Sequence, residues 1–141
     1  MKTLYTASVI SIGGRNGAIK SDDGLLRTLI SQPKAMGGKG DAPNPEQLFA
    51  GGYAACFGSA VVHAAKLSSY ELKDEDVQVD AKVGICVNGV SGFGLTVALE
   101  VTIAHLGLHA AEQIVEAAHG ICPYSNAIRT NTNVTLTVRI R

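Results

Sequence analysis

Cys56 lies in the run Asn44-Pro45-Glu46-Gln47-Leu48-Phe49-Ala50-Gly51-Gly52-Tyr53-Ala54-Ala55-Cys56-Phe57, and no charged side chain occurs from Leu48 to Ala65. A thiol in such surroundings is either an inert small hydrophobe or a nucleophile shielded from water. Burial disfavours the thiolate, so reactivity requires a nearby cation. His63 follows seven residues later, about 10 Å along a helix axis, too far to serve. Cys122 precedes Pro123 and so occupies a candidate helix N-cap, where the macrodipole favours an anionic sulfur; the plainer reading is a small capping residue. Cys86 shares the even-numbered positions of an alternating segment with Asp80 and Lys82, which points it away from the core. Arg15 sits in the glycine turn Gly13-Gly14-Arg15-Asn16-Gly17, where a solvated role is the simplest expectation. From these residues alone, the thiol acidities slightly favour Cys122 over Cys56 as the nucleophile.

Two other chemistries are weaker. His119-x-x-Cys122 is a plausible metal-ligand pair that Cys56 could join, but no CxxC or HExxH is present, and structural zinc sites usually show two short-spaced pairs. Gly37-Gly38-Lys39-Gly40 lacks the Ser or Thr that a phosphate loop places after its lysine, and the next helix starts five residues later. No metal is expected.

The element that carries Cys56 is a helix. Asn44 is a strong N-cap, Pro45 suits the first helical position and Gln47 completes a capping box; the helix is expected to run to about Ala65. Amphipathic helices keep a charged face for water. This one has none, so it is expected to be enclosed on all sides, most simply in a homodimer that buries two such helices. Its length approaches that of a membrane span, but three glycines, Ser59 and His63 make a buried central helix the better reading and a membrane an unexpected partner.

Around it the pattern is mostly period two. Residues 3–12 alternate as a strand, Asn16-Gly17 turns the chain, a short strand follows, and Leu25–Ile30 forms a third. Residues 31–44 make a long Gly/Pro-rich loop. Val77, Val79, Ala81, Val83 and Ile85 alternate with polar or small residues, Val87-Asn88-Gly89-Val90 turns, and Leu95, Val97, Leu99, Val101 and Ile103 alternate again. Residues 109–119 form an amphipathic helix stopped by Gly120, Cys122-Pro123 opens a short second piece through Arg129, and 133–140 close the chain as a strand. The order gives an α+β fold with antiparallel sheets around a long buried helix.

The chain has 141 residues, 46% of them apolar and 17% charged, which suits one domain over 1–141 with one core. Twelve basic residues balance twelve acidic ones, so no nucleic-acid partner is expected. The first residues alternate like a strand without an apolar signal region, and three cysteines fit a reducing compartment; a cytoplasmic protein is expected.

Three segments in order, Gly14-Arg15-Asn16-Gly17, Asn44-Pro45-Glu46-Gln47-Leu48-Phe49 with Gly52-Tyr53-Ala54-Ala55-Cys56-Phe57, and Ala117-Ala118-His119 with Cys122-Pro123-Tyr124-Ser125-Asn126-Ala127, resemble the organic hydroperoxide resistance (Ohr) branch of the OsmC/Ohr superfamily. The resemblance runs nearly end to end. It departs at Cys86, and at Asp41-Ala42-Pro43, where the family often has Gly-Thr. It implies an intertwined homodimer and a thiol-dependent peroxidase that reduces organic hydroperoxides to alcohols without a cofactor. It further implies Cys56 as the peroxidatic residue, Cys122 as the resolving residue that forms a disulfide with it, and Arg15 with Glu46 as activators. By the same resemblance the reductant is a dithiol, dihydrolipoamide or a lipoylated protein, and Phe49, Tyr53 and Phe57 are candidates for the substrate pocket. A non-catalytic peroxide sensor and a small-ligand-binding protein are the alternatives. Glu46 and Cys56 stand ten residues apart on one helix, about 15 Å along its axis, so Glu46 is expected to reach the site from the other subunit.

Overall fold

The computed structural model describes residues 1–89 and 92–141. The chain forms two compact units, Met1–Leu48 and Phe49–Arg141.

The first unit holds an antiparallel three-stranded sheet of β1 (Val9–Ile12), β2 (Ala18–Ser21) and β3 (Arg27–Leu29), in that order. The expected first and third strands shorten to these cores. The β1–β2 connection is a tight turn carrying a 3-10 turn at Gly14–Asn16. A Cβ at Gly17 would lie 1.8 Å from the Ile12 carbonyl oxygen, so the turn closes only with glycine there. Val9, Ile10, Ile12 and Leu29 of this small sheet are exposed. The 31–44 loop is pinned by the Ser31 amide, which donates to the Pro43 carbonyl at 3.0 Å.

Helix α1 (Pro45–Leu67) begins as its sequence dictates. The Gln47 amide donates to Asn44 Oδ1 at 2.9 Å, and the Asn44 amide donates to Gln47 Oε1 at 3.0 Å. This reciprocal box satisfies donors that a helix start would leave orphaned.

The second unit is built on β4 (Val77–Val87), β5 (Phe93–Ile103) and β6 (Val134–Ile140), with α2 (Leu108–Ile121) and α3 (Pro123–Ile128) between β5 and β6. Strands β4 and β5 pair antiparallel, Val79 opposite Val101 and Ala81 opposite Leu99. In the turn between them, Gly89 has φ +58° and the Asn88 amide donates to the Gly92 carbonyl at 2.9 Å; Val90, expected in this turn, lies outside the described residues.

The fold class is α+β as expected, with one correction: β6 lies parallel to β5, with Val97 opposite Val134 and Ile103 opposite Ile140. The α2–α3 segment carries the chain back to the starting end of β5, as a parallel pairing requires. Arg139 Nε and Glu100 Oε1, on the polar positions of this pair, lie 2.9 Å apart.

The core lies between α1, β5 and α2. Tyr53, Phe57, Val61, Ala64 and Ala65 of α1 meet Val97, Leu99, Val101 and Ile103 of β5 and Ile114, Val115 and Ala118 of α2. Burying each of the larger side chains contributes about 1.5–3 kcal/mol. The expectation that α1 is enclosed on all sides holds on one side only within the chain. Gly51, Ala55, Ser59 and His63, at helical spacing, are exposed. That face carries no charged side chain, and its only polar groups are the Ser59 hydroxyl and the His63 imidazole.

Candidate active site

Cys122 closes α2 and caps α3: its amide donates to the Ala118 carbonyl at 2.9 Å, its backbone is extended at φ −63° and ψ 123°, and Pro123 follows at the first position of α3. Its side chain is fully buried. Cys56 projects from the middle of α1 towards this junction and is half-buried. The Cys122 thiol donates to Cys56 Sγ at 3.8 Å, and both cysteines are free thiols. A disulfide spans about 2.0 Å between sulfurs, so an adjustment of side chains and of the junction can join them.

Burial pushes the Cys56 thiol up, the neighbouring Cys122 sulfur adds to this, and the backbone amide of Tyr124 opposes both. Cys86 pairs across the β4–β5 ladder with Gly94, away from these two sulfurs.

Aromatic rings back the site. Phe49, Tyr53 and Tyr124 form a triangle with ring centroids 5.6 to 6.0 Å apart. A Cβ at Gly52 would lie 2.8 Å from the Tyr124 hydroxyl oxygen, so glycine in mid-helix lets this ring lie against α1. Tyr53 and Phe57, expected around the substrate, are fully buried, whereas Phe49 is only partly buried. Phe57 reaches the His119 ring at 6.4 Å between centroids.

In the first unit, Arg15 grips Glu46. Arg15 Nη1 donates to Glu46 Oε2 at 2.9 Å and Nη2 to Oε1 at 2.5 Å, the two-pronged geometry that suits guanidinium and carboxylate. These bonds hold the Glu46 carboxyl below its ordinary range and the Arg15 guanidinium above its own. The pair is thus fully charged, and Glu46, at the first turn of α1, also suits the positive end of the helix dipole. The solvated role first expected for Arg15 gives way to this pairing, although its side chain keeps 34% exposure.

Residues 38–137 match the family model of the OsmC-like proteins. The chain belongs to the OsmC-like family, among the organic hydroperoxide resistance proteins. It is 44% identical over 139 residues to the organic hydroperoxide resistance protein of Xanthomonas axonopodis pv. citri, covering 97% of this chain and 96% of that one. The crystal structure of an organic hydroperoxide resistance protein from Elizabethkingia anophelis is 45% identical and superposes with a TM-score of 0.92 over the full length of both chains. That of OhrB from Bacillus subtilis is 41% identical, with a TM-score of 0.87 over 97% of this chain and all of the other.

Within this member of the family, three polar residues form a chain beside the sulfurs. Tyr53 Oη and Ser125 Oγ lie 2.7 Å apart, and His119 Nδ1 lies 2.9 Å from the same Ser125 oxygen. Burial raises the Tyr53 phenol, partly offset by Ser125; burial, then Arg129, lowers His119. His119 was a candidate metal ligand by spacing, but no group of three His, Cys, Asp or Glu side chains arranged to hold a metal occurs among the described residues. Ser125 lies in the Cys122-to-Ala127 segment that carries the family resemblance, but no pattern in the sequence assigns it a role in the site.

Proposed function

We propose that this protein is a thiol-dependent peroxidase that reduces organic hydroperoxides to alcohols. The observation that carries the reading is the contact at 3.8 Å between half-buried Cys56 and buried Cys122, in a chain whose relatives are named for organic hydroperoxide resistance. The Cys56 thiolate attacks the terminal peroxide oxygen, the O–O bond breaks, the alkoxide takes a proton and leaves as the alcohol, and Cys56 becomes a sulfenic acid. Cys122 then attacks the oxidised sulfur, giving the Cys56–Cys122 disulfide and water. A dithiol, dihydrolipoamide or a lipoylated protein, reduces that disulfide by exchange. Arg15 supplies the cation that Cys56 needs, and Glu46 fixes the guanidinium plane. The apolar, aromatic surroundings of Phe49, Tyr53 and Phe57 suit an organic hydroperoxide over hydrogen peroxide. The cycle fits a reducing cytoplasm.

The working form in this proposal is a homodimer with shared sites. Two observations support it: the exposed small-residue face of α1 and the exposed apolar residues of the β1–β3 sheet. Helix α1 is continuous from Pro45 to Leu67, and Glu46 holds Arg15, so the Arg15–Glu46 pair of one chain would serve Cys56 of the partner.

Turnover of cumene hydroperoxide with dihydrolipoamide, compared with a monothiol, tests the reading. Sustained consumption with the dithiol and little with the monothiol is expected. No consumption with either reductant would reject a peroxidase.

A further inference from the structure

Tyr53 and Cys56 are three residues apart on α1, and His119, Cys122 and Ser125 follow one another at intervals of three through the α2–α3 junction. On α1 that spacing puts both side chains on one helix face, and the two contacts set Cys122 and Ser125 against it. The Tyr53–Ser125 hydrogen bond and the Cys56–Cys122 contact are therefore neighbouring rungs between the same two segments, one at 2.7 Å and the other at 3.8 Å.

The rungs differ in strength. A thiol is a weak donor to sulfur and holds little. Between them, α2 ends, Cys122 is extended, and α3 is only 6 residues long, so the junction owes its position to what pins it from outside. Ser125 and Tyr53 are both fully buried, where an unpaired hydroxyl is costly. Ser125 satisfies this on two sides, through Tyr53 Oη and through His119 Nδ1 at 2.9 Å. Arg129 adds a pin from the far end of α3 by donating to the His119 carbonyl.

We propose that Ser125, held between Tyr53 and His119, is a positioning residue for disulfide closure, fixing the α2–α3 junction against α1 so that Cys122 faces the oxidised Cys56. The inference rests on the peroxidase reading above. In the step concerned, the Cys122 sulfur bonds to the Cys56 sulfur, the S–O bond of the sulfenic acid breaks, and the departing hydroxide takes the Cys122 proton to leave as water. Closure competes with a second hydroperoxide, which carries Cys56 on to sulfinic acid. A junction that drifts loses that race, since an error of about 1 Å in placement costs a reaction on the order of a hundredfold. Ser125 touches neither the peroxide nor the reacting sulfurs and acts through Cys122.

The test uses the reduced full-length protein, mixed rapidly with cumene hydroperoxide, quenched at intervals with a sulfenic-acid trap and analysed by mass spectrometry. In Ser125→Ala, sulfenic acid is expected to form within about twofold of the wild-type rate while the disulfide closes about tenfold more slowly, with sulfinic acid at Cys56 appearing at lower peroxide. General loosening of the fold would slow both steps together. His119→Leu should behave as Ser125→Ala does. His119→Asn, which keeps a polar group near the Nδ1 position, should close at nearly the wild-type rate. If Ser125→Ala does not fold, this pair of His119 variants decides on the same readout. Closure at the wild-type rate in Ser125→Ala and His119→Leu, with wild-type sulfinic acid yield, would overturn the proposal. Wild-type protein that forms no sulfenic acid at Cys56 and no disulfide would overturn the peroxidase reading and this inference with it.

Discussion

Cys56 and Cys122 face each other with their sulfurs 3.8 Å apart, one half-buried and the other sealed in the core. The asymmetry suits a division of labour. The more accessible thiol can meet a substrate, and the sealed one can meet only its neighbour. Several consequences are measurable.

Cys56→Ser is expected to abolish peroxidase activity with little change in melting temperature, because the nucleophile is lost while the volume is nearly kept. Cys122→Ser is expected to consume one equivalent of hydroperoxide, then stall or over-oxidise at Cys56. Cys86→Ser, on the far side of the β4–β5 ladder, should be nearly silent. Steady turnover by Cys122→Ser at the wild-type rate with dihydrolipoamide would remove its resolving role.

Burial raises the Cys56 thiol, so the thiolate, and with it the rate of the first oxidation, grows as pH rises towards that raised value. A guanidinium nearby opposes the burial and typically lowers such a value by about 1–3 units. Arg15→Ala should therefore move the midpoint of the pH–rate profile upward by at least about one unit. The profile of single-turnover oxidation against pH checks this; an unchanged midpoint would separate Arg15 from Cys56.

Glu46 is held below its ordinary carboxyl range by Arg15. A depressed folded value means that the pair's contribution to stability is present above the unfolded carboxyl value and is lost as pH falls through the folded one. Urea unfolding of wild type and Glu46→Gln should thus differ most near neutral pH and converge in acid. With the Arg15 side chain 34% exposed, the neutral-pH difference should be about 1 kcal/mol or less. A difference that grows towards acid would contradict the assignment.

Shared sites make a stronger prediction. Glu46→Ala and Cys56→Ser chains, each inactive, should form mixed dimers when refolded together. One site then carries both wild-type residues and the other carries neither, so activity should return towards about half of wild type per mixed dimer. No recovery despite proven mixed dimers would place Glu46 in the site of its own chain.

Much of this was legible from short-range patterns. The Asn44–Gln47 box, the period-two strands and the start of α3 at Cys122-Pro123 are decided by neighbours in the chain, and the structure carries each of them; Gly120, expected to stop α2, instead lies inside it, and the helix runs on to Ile121. What escaped depends on distant partners. Pattern alone could not say that β6 runs parallel to β5, because the alternation of Val134, Leu136 and Val138 is the same in either direction. Tyr53 and Ser125 are 72 residues apart, so nothing local showed that the serine pairs with the tyrosine. The uncharged stretch of α1 identified an apolar helix but not which face its own chain would cover. The aromatic residues Tyr53 and Phe57 pointed towards a pocket by type, while their fully buried positions follow from the side of the helix that meets β5 and α2.

The central claim is that Cys56 and Cys122 together reduce an organic hydroperoxide. Titrating the reduced protein with cumene hydroperoxide, in the absence of any reductant, and following cumyl alcohol and the cysteines by mass spectrometry tests it most directly. The account predicts one alcohol per chain, loss of the Cys56 and Cys122 thiols together as a disulfide between them, and an intact Cys86 thiol. Full recovery of free Cys56 and Cys122 after exposure, with the hydroperoxide unconsumed, would contradict it.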